Sequence, residues 1–438
     1  MKRAARVGAV TLGLAVGYFS RSPPAQAEEA DAPHAPPGLD GYSLAQVHAL
    51  FRHGARAPLS TKHGSGEEAV ASCGRSVEAA LRVLVRGLDG ASLPAVSKGN
   101  ARQKAVTLPG GCHLGQLSDV GWAQAEALGA VLRERYAQRL GLEASALSPA
   151  VSVRSSNLQR TVATAEGVLR GLFPQAPPDK PLATVLVATD AAEWLFPNTD
   201  ACARLRRLWR GEGGASRPVV SDAELRAAHP EQLARLEAVL PQAERDALNK
   251  GLAWGLVELL DHAASRAAHG KAALGSMGAS ELSDLRALAA HVVAAMFVSP
   301  AAGKDQSTEA LRLSMGRLLH NIVAELSAAA GHASPLRLSL SASHDTTVLP
   351  LLLALRGGES TAWLTWPPFA SCISIELWAP PPAAGDAAPL APHFVRVLYD
   401  QRVLPLPCAA GPHGACRLSD FASSLQRLIP VDYAAECH

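Results

Sequence analysis

Ser43-Leu44-Ala45-Gln46-Val47-His48-Ala49-Leu50-Phe51, followed at once by Arg52-His53-Gly54-Ala55-Arg56-Ala57-Pro58, is the stretch that decides the fold. The first nine residues are mostly apolar and read as a strand. The next seven carry two arginines, a histidine, a glycine and a proline, the composition of a turn. Polar chemistry placed directly after a strand is the layout of an open α/β sheet, whose sites lie at the carboxyl ends of strands.

The same layout recurs twice. Ala150 to Val153 reads as a short strand that ends at Arg154, with Ser155 and Asn157 behind it. Leu336, Leu338, Leu340 and Ala342 alternate with polar residues and run into His344-Asp345, then into a leucine-rich helix. Leu182–Val187, Ser371–Trp378 and His393–Tyr399 supply further strands. Ser118 can cap a helix whose Leu128, Leu132, Tyr136 and Leu140 recur every four residues. Leu158, Val162, Ala165, Leu169 and Leu172 mark a second helix, and the stretch 59–109 reads as loop. From about 200 to 330 only helical stripes appear, for example Leu282, Leu285, Ala289, Val292 and Met296. Strands and helices alternating around a helical insert predict an α/β fold with a mixed sheet.

Composition bounds the function. The 438 residues are 48% hydrophobic and 18% charged, enough to bury a large core. Forty-one basic and 39 acidic side chains leave a net charge of +2, which gives no electrostatic case for nucleic acid. Residues 1–27 have the grammar of a secretory signal: Lys2, Arg3 and Arg6, an apolar block from Val7 to Phe19, and Ala25-Gln26-Ala27 before Glu28. A mitochondrial presequence is the competing reading, and an uncleaved anchor a third. Seven cysteines show no zinc spacing and leave at least one thiol unpaired. Cys408 and Cys416, flanking a Gly/Pro loop, are the best disulfide candidates.

The three clusters bring together Arg52, His53, Arg56, Arg154, His344 and Asp345, with no metal ligand set. Guanidinium forks suit the oxygens of a phosphoryl group in charge and geometry. A neutral imidazole can attack phosphorus, and a carboxylic acid can protonate a departing alkoxide. The arginines would take the electrostatic role of a metal. Singly, each motif has a plainer reading: Arg154 as an ion-pair partner, His344-Asp345 as a helix cap. The set, with every member at a strand end, points to phosphomonoester hydrolysis through a phosphohistidine.

Arg52 to Pro58 is the full RHGxRxP signature of the histidine acid phosphatases, and His344-Asp345 resembles their C-terminal HD pair. Leu117-Ser118-Asp119-Val120-Gly121-Trp122-Ala123-Gln124 is similar to the family's LTxxGxxQ element, and Val153 through Arg160 resembles a third landmark. The resemblance implies a three-layer α/β core of the phosphoglycerate-mutase-like, histidine phosphatase type, plus an inserted helical cap. The expected layout is a targeting peptide over 1–27, a linker over 28–42, core over 43–175 and 331–438, and the cap over 176–330. It implies His53 as nucleophile, Asp345 as proton donor, and Arg52, Arg56, Arg154 and His344 as phosphate ligands. It implies no metal and no cofactor. Gln124 and Ser118 are expected as scaffold, Cys112 as a small buried hydrophobe, Trp366 and Phe369 as core or rim packing. Gly110-Gly111, Gly115-Gln116-Leu117, Ala127-Leu128-Gly129, Phe196-Pro197-Asn198 and Trp366-Pro367-Pro368-Phe369 look most like the lysophosphatidic acid phosphatases within the family, so a lysophospholipid is the expected substrate. A broad-specificity or phytase-type phosphatase is the alternative, and a non-catalytic phospho-ligand binder a further one. The expected partner is a small phosphomonoester, with no nucleic acid and no membrane span after processing. The expected location is the secretory route, extracellular or lumenal.

Overall fold

Strand β1 (Ser43–Arg52) is buried from Gln46 onward and lies near the middle of a nine-stranded sheet. The computed structural model describes residues 37–74, 82–142, 148–210, 220–298, 308–357, 364–381 and 391–438. All of these fall in one compact unit, and the targeting peptide and residues 28–36 lie outside them. The sheet order is β2 (Val83–Gly87), β4 (Ala183–Val187), β3 (Val151–Ser155), β5 (Leu338–Ser343), β1, β6 (Cys372–Ala379), β7 (Phe394–Tyr399) and β8 (Arg402–Val403). The first five run parallel; β6 to β8 join antiparallel, and β9 (Cys416–Arg417) pairs with β7.

Alternation along β1 sends Val47, Ala49 and Phe51 to one face and Leu50 to the other. After α1 (Lys98–Lys104), helices α2 (Asp119–Leu132) and α3 (Gln159–Leu172) cover the first face. A π-helical turn, Arg133–Ala137, extends α2 and keeps Tyr136 buried against Glu376. The second face meets a continuous apolar cluster built from the helices between β4 and β6. These are α4 (Ala203–Arg210), α5 (Asp222–Ala228), α6 (Pro230–Val239), α7 (Gln242–Asn249), α8 (Leu252–Ala268), α9 (Ala279–Ala295), α10 (Glu309–Ala330) and α11 (Asp345–Leu355). Two further helices, α12 (Leu418–Leu425) and α13 (Tyr433–Glu436), close the described chain. The sandwich of helices, mixed sheet and helices matches the expected class.

Three details differ from expectation. The stretch read as loop holds β2 and α1; β2 is a five-residue, half-exposed edge strand with no clear alternation to announce it. The cap boundary at 176 falls too early, because β4 pairs with β2 and β3 in the sheet and helices begin only at Ala203. Cys112 is not a lone hydrophobe: it bonds Cys73. Cys408–Cys416 pairs as expected, Cys202 bonds Cys437 across the chain, and Cys372 is the free thiol.

Candidate active site

The parallel neighbours β3, β5 and β1 end level: Arg52 lies opposite Ser343, and Ser155 opposite Ala342. With adjacent strands about 5 Å apart, the residues that follow them must share one small volume. That volume opens into a cavity of about 690 Å³ whose lining includes Arg52, His53, Arg56, Arg160, His344 and Asp345.

Backbone contacts fix the turn after β1. His53 N donates to Ser343 O at 3.0 Å and Ala370 N to His53 O at 3.1 Å. Gln124 Oε1 accepts from Ala55 N at 2.8 Å. Ser118 caps α2 by accepting from Gly121 N, and donates to Ala55 O at 3.0 Å. Both behave as the expected scaffold. Gly54 and Gly121 pass so closely that a Cβ on either would strike the other segment's backbone. The start of α2 can therefore rest on the turn only if both are glycine.

His53 Nδ1 lies 2.9 Å from Gly54 O, so Nδ1 carries the proton and Nε2 keeps its lone pair. Burial, followed by the charges of Arg160, Arg52 and Arg56, holds its pKa well below 6.5. The low pKa favours the neutral ring. His344 sits 5.6 Å away, centroid to centroid, and Phe196 packs on its far side at 5.7 Å. Thr161 Oγ1 lies 2.9 Å from Ser156 Oγ, which lies 2.8 Å from His344 Nε2. With Thr161 donating to Ser156 and Ser156 to Nε2, the neutral imidazole carries its proton on Nδ1, where it can donate to an anionic ligand.

Asp345 is the first residue of α11 and pairs with Arg52 at 2.7 Å. Burial works to raise its carboxyl, but Arg52 and Arg56 outweigh that and hold it below the ordinary range. Arg52 also donates to Pro367 O at 2.6 Å and stacks on Phe369 at 4.2 Å. Arg56 pairs with Asp261 of α8 at 2.6 Å. Arg160, in the first turn of α3, donates to Gln103 at 3.1 Å. Burial, then Arg56, pushes its pKa down to about 9. The buried Nε atoms of Arg52, Arg56 and Arg160 have no hydrogen-bond partner among the described residues. Arg154 and Arg82 show the same feature, but only Arg52, Arg56 and Arg160 also line the cavity, and three guanidiniums lining one cavity suit an anionic ligand.

Arg154 does not join them, and this corrects the expected ligand set. Its side chain leaves β3 towards Glu193, pairing at 2.7 Å, and lies 4.6 Å from the Trp194 ring. Glu193 in turn accepts from the amides of Trp194 and Leu195, which braces the segment leading to Phe196. Asn157 and Ser155 bond backbone carbonyls only. Arg160, six residues on, takes the place expected of Arg154. Two arginines in one landmark look alike as letters; the helix start at Gln159 is the signal that separates them.

Ser60, Glu258, Asp261, His262 and Thr346 also line the cavity, and most of the rest of its wall is apolar. Trp209, Trp254, Val293, Met296 and Phe297 come from α4, α8 and the end of α9, and Trp366 and Phe369 from the segment before β6. Trp366 and Phe369 are thus cavity wall. Lys62 and His63 are bound to Glu258 and Glu244.

A family model described as the histidine phosphatase superfamily, branch 2, matches residues 43–400. Lysophosphatidic acid phosphatase type 6 of Homo sapiens is 28% identical over 428 residues, covering 94% of this chain and 90% of its own. The protein of that name from Pongo abelii is 29% identical over 406 residues, covering 89% and 85%. Testicular acid phosphatase of Homo sapiens is 28% identical over 426 residues, covering 92% and 84%. Among solved structures, the apo form of Hafnia alvei phytase superposes with a TM-score of 0.58 at 18% identity, covering 92% of this chain and all of that one. At that identity the likeness speaks for the fold alone.

Proposed function

We propose a mechanism and a substrate for this chain, which belongs to the histidine phosphatase superfamily, branch 2, and is an acid phosphatase, a hydrolase of phosphomonoesters. Arg52, Arg56, Arg160 and His344 bind the phosphoryl oxygens. His53 Nε2 attacks phosphorus; a P–N bond forms, the P–O bond to the alcohol breaks, and Asp345 gives its proton to the departing oxygen. Water then attacks the phosphohistidine, the Asp345 carboxylate takes its proton, and inorganic phosphate leaves.

The electrostatics support an acid optimum. In the free site Arg52 keeps Asp345 ionised. A bound phosphoryl dianion shares that guanidinium and repels the carboxylate, so a proton is taken up with the substrate. The arginines already supply the positive charge that a metal would bring, and chelators are expected to leave activity unchanged.

The substrate is a lysophospholipid such as lysophosphatidate. The observation that carries this reading is the division of the cavity: one phosphate-sized cluster of cations, then a wall of Trp209, Trp254, Met296, Phe297 and Trp366. Such a wall can take an acyl chain out of water at roughly 0.8 kcal/mol per methylene buried. Among the described residues the wall offers no further arginine or lysine to a second phosphate, so phytate gains nothing from them beyond its first. Lysophosphatidate, a sugar phosphate and phytate compared by kcat/KM test the assignment. Lysophosphatidate should lead by at least tenfold; equal values, or phytate ahead, would remove the lipid reading. The three disulfides support passage through an oxidising compartment, in keeping with the secretory signal.

A further inference from the structure

The mechanism uses one of the three carboxylates that line the cavity; the other two are Glu258 and Asp261. Asp261 lies on α8, with 15% of its side chain exposed, and it lines the cavity beside Arg56. Its Oδ1 accepts from Arg56 Nη2 at 2.6 Å, and its Oδ2 accepts from Leu59 N at 3.0 Å. The first contact aims the guanidinium; the second fastens α8 to the turn that carries it. His262, next on the helix, repeats the fastening through Ser60 and Ser65 at 2.9 and 2.7 Å.

Asp261 also sets the charge of the site. Arg52 is matched by Asp345, Arg56 by Asp261, and Arg160 faces a neutral glutamine. His53 and His344 are neutral, because burial and the arginines hold both well below 6.5. Three guanidiniums against two carboxylates leave one net positive charge. The other charged groups near Asp261 are already paired: Glu258, a turn earlier on α8, holds Lys62. His262 is pushed down to about 4 by burial and is neutral, with the His63 ring against it. Burial works to raise the Asp261 carboxyl, but the charge and hydrogen bond of Arg56 keep it ionised.

We propose that Asp261 is a positioning residue that holds Arg56 in the cavity and cancels one of its positive charges, so that inorganic phosphate is released rather than retained. Without that negative charge the site would carry two positive charges, matching a phosphate dianion. Substrate and product would then both bind more tightly, an effect that lowers KM and the product's Ki without raising kcat. The inference rests on the phosphate-site reading above and not on the lipid substrate.

The test is Asp261→Asn, which preserves shape and can still accept from Arg56. With p-nitrophenyl phosphate as substrate, Ki for inorganic phosphate and KM should each fall roughly tenfold or more, the scale of one unit charge a few ångströms away in a partly buried site. At the same time kcat should drop. A purely structural role predicts the opposite sign, because a loosened Arg56 binds phosphate less well. A raised or unchanged Ki therefore overturns the proposal. Should the variant not fold, wild type still decides. Calorimetry of inorganic phosphate binding at pH 7.5, in two buffers of different ionisation enthalpy, counts protons. A site with one net positive charge takes up on the order of one proton with the dianion, whether on Asp345 or on the phosphate; no uptake contradicts the charge count of three guanidiniums against two carboxylates and overturns the proposal. Absence of any phosphate binding by wild type would instead sink the phosphate site itself.

Discussion

Asp345 has to do two things at different times. In the free site it is an anion on Arg52, 2.7 Å away. In the bound site it must carry a proton for the leaving group. The two states are reconciled by the ligand, whose negative charge takes over Arg52 and makes the protonated carboxyl the favoured form. Asp345→Asn keeps the shape and the place in the first turn of α11 but has no acidic proton. For lysophosphatidate, whose alkoxide is a strong base, kcat/KM should fall by roughly 10²–10⁴. For p-nitrophenyl phosphate, whose phenolate leaves unaided, the loss should be far smaller. Equal losses on both substrates would take the acid role away from Asp345.

Elements decide which arginine meets phosphate. Arg154 is delivered by a strand and Arg160 by the first turn of a helix, and only the helix start aims into the cavity. Arg160→Ala should lower kcat/KM by roughly 10²–10³, the loss expected for one preorganised donor. Arg154→Ala should act chiefly on stability, by about 3–5 kcal/mol, because it strands Glu193 as a buried unpaired charge. Thermal melts together with kcat/KM for both variants separate the two roles; a kinetic collapse confined to Arg154→Ala would reverse the assignment. The strand ends were legible because each polar cluster follows its strand with no gap, so His53, Arg56 and His344-Asp345 could be placed from the sequence. Arg154 and Arg160 were not separable, since both follow the same strand and the choice depends on where α3 begins. Asp261 was illegible: it sits in α8, 205 residues from its Arg56 partner, and nothing in helical periodicity says which face meets a distant turn.

At the scale of the molecule, the helices between β4 and β6 add a largely apolar wall to the cluster of arginines and histidines. Their stripes announced helices but not the convergence of Trp209, Trp254, Met296 and Phe297, which comes from tertiary packing. Cys202–Cys437 closes a loop of 235 residues and ties α4, which carries Trp209, to the end of the chain. A bond closing so long a loop contributes roughly 2–5 kcal/mol where it forms. Its formation calls for an oxidising compartment, which the leader grammar of residues 1–27 also calls for. The mature protein should begin at Glu28. Terminal sequencing that finds Met1 intact, or a start well inside the 28–41 linker, would favour an anchor or a mitochondrial presequence instead.

The central claim is that His53 Nε2 becomes covalently bonded to phosphorus during turnover. Wild-type enzyme mixed with phosphorus-labelled p-nitrophenyl phosphate and quenched in base within one turnover tests it directly. A label that is stable to base, labile to acid and confined to the peptide containing His53 is the predicted result, with no label and no appreciable turnover in His53→Ala. Near-normal turnover by His53→Ala, or label on another residue, would contradict the mechanism.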